Sequence, residues 1–142
     1  MTKQILKGAG LATLLTVLAL SAPAPVAAAD IRANVPFSFT VDKKVLPPGD
    51  YTVSSGGAHA LLIRGFRTGA MILSTPTQSA ASTSPKLVFH RYGDEYLLRE
   101  IWMGSGSGHK LPETRREREL ASGRSGAATA SASFEKVEVA VQ

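Results

Sequence analysis

The chain has 142 residues, no cysteine and a formal net charge of +5. The missing cysteines exclude disulfide staples, thiolate metal sites, thiol catalysis and a lipid-modified cysteine. The basic excess is too thin and too dispersed for a nucleic-acid binder, which needs cations clustered along one face to displace counterions.

Residues 1–29 read as a secretory signal peptide. Lys3 and Lys7 form a basic start, residues 9–20 are an apolar run, and Ala27-Ala28-Ala29 supplies small residues for cleavage. The apolar run is too short to span a ~30 Å hydrocarbon core comfortably, and Pro23 and Pro25 follow it. The expected product begins at Asp30, lies in the periplasm or outside the cell, and keeps no membrane span. Residues 30–142 carry 14 Lys and Arg against 11 Asp and Glu, a net +3, and have the length of one domain. The dense run Arg115, Arg116, Arg118 is interrupted by Glu117 and Glu119, the pattern of a solvated mixed-charge helix.

Along the chain, Ile31, Ala33, Val35, Phe37, Phe39 and Val41 alternate with polar residues and Pro36. A period of two predicts a half-buried strand, and Pro36, without an N–H, places it at an edge or a bulge. Asp42-Lys43-Lys44 and Pro47-Pro48-Gly49-Asp50 are turns, the second suited to type II. Tyr51–Ser54, Ala60–Arg64 and Ala70–Thr75 are short strands, and Pro76–Pro85 is a loop. Lys86–Met103 is a hairpin about Gly93-Asp94. A two-residue turn fixes its register: Tyr92 faces Glu95, Arg91 faces Tyr96, His90 faces Leu97 and Phe89 faces Leu98. One face then carries Leu87, Phe89, Tyr96, Leu98 and Trp102, assigned to the core. The other carries Val88, His90, Tyr92, Glu95, Leu97, Arg99 and Ile101, and is apolar enough that a strand layer, a helix or a ligand should cover it.

Gly104–Gly108 is a flexible break. Thr114-x-x-Glu117 matches a capping box after Pro112, so a short helix should run from Arg115 to Ala121. Residues 121–133 are a low-complexity loop, and Phe134–Val141 is a closing strand. The whole predicts a mostly β fold, a single antiparallel β-sandwich or small β-barrel of about seven strands with one short C-terminal helix.

The stretches Val35–Val41 (VPFSFTV), Leu46–Val53 (LPPGDYTV) and Lys86–Asp94 (KLVFHRYGD), with Leu111-Pro112-Glu113 and Glu117–Leu120, resemble a family of small exported proteins common in soil bacteria. The resemblance implies export and a β-rich domain and transfers no activity. Pro48-Gly49-Asp50-Tyr51-Thr52-Val53 is also similar to a turn and strand of prealbumin-like and immunoglobulin-like sandwich modules.

For chemistry, His59, His90 and His109 fall in separate segments without metal-ligand spacing. His90, Tyr92, Glu95 and Arg99 share one predicted sheet face and form the candidate ligand-binding set; His90 with Glu95 is also the one acid/base pair a hydrolase would use. Ser105 and Ser107 lack the helix that a nucleophile elbow requires. Asp94 and Glu95 are adjacent, so their side chains diverge on a strand. No catalytic residue, metal site or cofactor is assigned. The expected role is a non-catalytic exported module that binds an unknown protein or small molecule, or serves the envelope structurally. A ligand-holding barrel is the alternative.

Overall fold

The computed structural model describes residues 30–123 and 134–142. The expected leader and residues 124–133 of the expected loop lie outside the described residues. Among these, the chain forms eleven short strands and one helix, arranged as two sheets that do not close into a barrel. The architecture is β-sandwich-like, with more and shorter strands than the sequence pattern predicts.

The first sheet has the order β1 (Ile31–Val35), β4 (Gly49–Gly57), β5 (Ala60–Arg64), β6 (Gly69–Leu73), all antiparallel. The second has the order β11 (Glu135–Ala140), β8 (Lys86–Tyr92), β9 (Glu95–Gly104), β10 (Ser107–Lys110), β7 (Thr75–Gln78). A small hairpin of β2 (Phe39–Val41) and β3 (Lys44–Leu46) joins β9 through one parallel pair, Thr40 with Leu97. The alternating run from Ile31 to Val41 is thus two strands in two sheets. The break falls at Pro36–Ser38, where proline cannot continue a ladder. The alternation survives the crossing, because Ile31, Ala33, Val35, Phe39 and Val41 are all buried.

Between the sheets lies one apolar core. Val35, Phe39, Val41 and Leu46 enter from the first third of the chain; Tyr51, Val53, Leu61, Ile63 and Ile72 line the first sheet; Leu87, Phe89, Leu98 and Ile101 line the second. Phe39 packs edge-on against both Tyr51 and Phe89, and Phe37 stacks on Tyr96 with centroids 3.9 Å apart. Fully burying each such side chain contributes about 1.5–3 kcal/mol.

The β8–β9 hairpin has the register that its turn dictates, from Tyr92 opposite Glu95 to Phe89 opposite Leu98. Beyond that the ladder shifts, and Val88 faces Glu100, so Arg99 is an extra residue in β9. Such a bulge reverses which side the following residues face. Ile101, expected outside, is in the core, and Trp102, expected inside, packs on the outer face with Nε1 donating to Glu100 Oε2 at 2.9 Å. Gly104–Gly108 is not a flexible break. It is a tight turn into β10, tied down by Ser79 N to Gly106 O, Gly106 N to Ser82 O and Ser105 N to Thr83 O. Pro76, Thr77 and Gln78, expected within a loop, belong with Thr75 to strand β7, paired with β10.

Candidate functional site

The outer face of the β8–β9 hairpin is covered by the helix α1 (Arg115–Gly123). Thr114 opens it, with its Oγ1 accepting from Glu117 N at 3.1 Å. The capping box is only half formed. The Glu117 side chain does not turn back to the cap but points into the sheet, and Glu117 is the one buried residue of the helix. An apolar stripe usually docks a short surface helix; here a carboxylate does.

Glu117 Oε1 accepts from His90 Nδ1 at 2.9 Å and from the Tyr92 hydroxyl at 3.2 Å. A carboxylate can only accept, so His90 carries its proton on Nδ1. On the other side, Arg99 Nη1 lies 2.9 Å from Glu117 Oε2, an ion pair whose N–H is not aligned, so neither atom counts as hydrogen-bonded. A cavity of about 10 Å³, the size of one water, adjoins Arg99, Glu117 and Thr114. Outside this centre, Arg116 Nε donates to Glu95 Oε2 at 3.0 Å, and Phe134 lies flat on His90 with centroids 3.7 Å apart.

All four candidate residues therefore meet the helix, three at Glu117 and Glu95 at Arg116. The carboxylate beside His90 is Glu117, not Glu95. The sequence reading held Glu117 only as a cap. The signal for its second role was present: a sheet face with His90, Tyr92 and Arg99 needs an acid, and Arg115–Gly123 has almost no apolar residue to dock with.

Burial by itself would raise the Glu117 carboxyl, but the His90 hydrogen bond, the Arg99 and His90 charges and the Tyr92 hydroxyl outweigh it. The carboxyl is held below its ordinary value. Tyr92 is pushed up to about 12, by burial first and then by the Glu117 charge beside it. The cluster is an enclosed, mutually neutralising knot whose polar atoms are largely committed to each other.

A second polar meeting lies at the corner where β6 turns into β7. Ser74 N donates to His59 O at 2.8 Å, and Ser74 Oγ lies 3.0 Å from His109 Nδ1. Burial and the nearby His59 lower His109 from its ordinary value. Among the described residues no group of three or more His, Cys, Asp or Glu could hold a metal ion, and no helix is long and apolar enough to cross a membrane.

The strand edges differ sharply. Unpaired edges invite pairing with other chains, and proteins blunt them with charges, proline, brevity or cover. β11 exposes Glu135, Lys136 and Glu138. β7 has Pro76. β3 is three residues long and begins with Lys44. β1 has Arg32, whose carbonyl accepts from Gln142 N at 2.9 Å. β6, the far edge of the first sheet, is Gly-Ala-Met-Ile-Leu, without charge or proline. Ile72 points into the core, while Met71 and Leu73 are 72% and 73% exposed.

Comparisons with protein-family models, curated proteins and solved structures find no match to this chain.

Proposed function

We propose that this protein is an exported, non-catalytic interaction module that takes up an extended polypeptide segment as an added strand along β6. The observation that carries the reading is the contrast among the sheet edges. Four are blunted in recognisable ways, whereas β6, apart from Lys44 on the Gly69 carbonyl at its start, presents backbone and two large apolar side chains with no charge or proline of its own. In strand addition the main chain supplies affinity, and alternate side chains supply selectivity. Met71 and Leu73, two residues apart, stand on the same outer face of the sheet.

One further feature supports an interaction surface over a ligand-holding barrel: the two sheets do not close into a barrel, and a cluster of buried apolar side chains lies between them. The leader-like residues 1–29 and the resemblance to small exported bacterial proteins support export.

A synthetic peptide alternating Thr and Val, capped and uncharged, tests the reading by NMR titration. Amide shifts should concentrate at Ala70–Leu73, and the double variant Met71→Lys, Leu73→Lys should abolish them. Both side chains are surface-exposed, so that variant should fold normally. Shifts absent from β6, or spread equally over β1, β7 and β11, would overturn it.

A further inference from the structure

The two ends of β6 are electrostatically unlike. At the Gly69 end, Lys44 Nζ donates to Gly69 O at 2.7 Å. Arg64 is the cross-strand partner of Gly69 and is exposed. Arg67 stands in the β5–β6 turn with its guanidinium 5.4 Å from the centroid of the Phe66 ring, which is 93% exposed. None of the three cations has a carboxylate in ion-pair contact among the described residues. The acid nearest in sequence to the adjoining turn, Asp50, already accepts from Asn34 Nδ2 at 2.7 Å. At the Leu73 end the neighbours are Ser74 and the exposed loop residue His59, whose carbonyl accepts from Ser74 N. Three cations without an ion-pair partner thus mark one end of the open edge, against one at the other, Lys110, which stands opposite Thr75 two residues beyond Leu73.

We infer that the segment docking on β6 is acidic at the end that meets Gly69. This rests on the reading of β6 as the docking edge and names the chemistry of its partner. Every strand pair in the first sheet is antiparallel, so an added strand continuing that pattern runs against β6. Its C-terminal residues then arrive at Lys44, Arg64 and Arg67. The partner is an extended segment whose alternate apolar residues cover Met71 and Leu73 and whose last residues are Asp or Glu, or carry a free C-terminal carboxylate. A cleft of about 610 Å³ lined by Pro47, Pro48, Asp50, Phe66 and Arg67 adjoins this end and has room for residues beyond the paired stretch, the Asp50 carboxylate being engaged by Asn34.

Three peptides with the same Thr/Val core, ending in Asp-Asp, Ser-Ser or Lys-Lys, separate this inference from the reading beneath it. With exposed pairs, the acidic peptide should bind about fivefold more tightly than the Ser-Ser peptide, and the Lys-Lys peptide most weakly. The gap should shrink in high salt and close in the double variant Arg64→Gln, Arg67→Gln. Equal binding of the acidic and neutral peptides at Ala70–Leu73, or preference for Lys-Lys, would overturn the acidic assignment and leave the edge reading standing. No shift at β6 with any peptide would overturn both.

Discussion

Glu117 holds the helix to the sheet, and its substitution is the sharpest test of that attachment. Its side chain is 3% exposed and meets His90, Tyr92 and Arg99. Removing one member of a buried ion pair strands the other charge, at a cost of about 3 kcal/mol or more. Glu117→Ala should therefore lower the urea midpoint markedly at unchanged m-value, whereas Glu119→Ala, on the solvent side, should shift it little. Similar midpoints for the two variants would show that the helix is held by something else. Of the cluster, His90, Tyr92, Glu95 and Arg99 could be read from the sequence, because a two-residue turn fixes which side chains share a face. The acid that completes it was signalled only indirectly, by a sheet face that calls for one and a helix with almost no apolar residue to dock with. Glu117 comes from a later segment, and its position after Thr114 has a sufficient local explanation as a cap.

Among the elements, β9 and β10 show how a close approach dictates residue type. A Cβ on Gly108 would lie 2.6 Å from the Trp102 ring and 2.8 Å from the Ile101 carbonyl oxygen. Neither neighbour is a flexible chain end. Gly108→Ala should thus cost about 1–3 kcal/mol through overpacking, read as a lower thermal midpoint, with Trp102 fluorescence altered in the folded state. A neutral outcome would mean that β10 can move off β9 freely. The long elements, β4, β5, β8, β9 and the helix, were legible because each carries its own period or turn signal. The short ones, β3, β7 and β10, were not. Val45, Pro76 and the Gly/Ser run around Gly106 resemble loop sequence, and only partners distant in the chain make them strands. The bulge at Arg99 left no trace either, since nothing in Leu98-Arg99-Glu100 distinguishes an inserted residue from a paired one.

For the molecule as a whole, the ionised knot under the helix ties stability to pH. Glu117 is held below its ordinary carboxyl value of 4.5 in the folded state. Its contribution is fully present above that value and is lost as pH falls through the lowered folded value. Tyr92 has the opposite sign. Its folded value of about 12 exceeds the ordinary phenol value of 10.0, so its contribution is present below pH 10 and is lost as pH rises toward 12. Thermal midpoints should form a plateau through neutral pH and fall on both sides. Glu117→Gln should flatten the acid limb, and Tyr92→Phe the alkaline one. An acid limb unchanged in Glu117→Gln would place the acid sensitivity elsewhere. The mostly β, antiparallel class was readable from alternation and turn spacing, but not the choice of two open sheets over a closed barrel, which depends on how strand ends meet across the molecule.

The extra residue in β9 has an effect on how that strand can be rewritten. Up to Leu98 the even-numbered positions serve the interior; from Ile101 onward the odd-numbered ones do. Any redesign, graft or comparison of this strand must count from two origins. A deletion at position 99 would bring the halves into a common phase and leave Ile101 inward and Trp102 outward, opposite Leu87 and Lys86 as before. It is the full-length strand paired without the extra residue that would turn an indole inward and an isoleucine out to water.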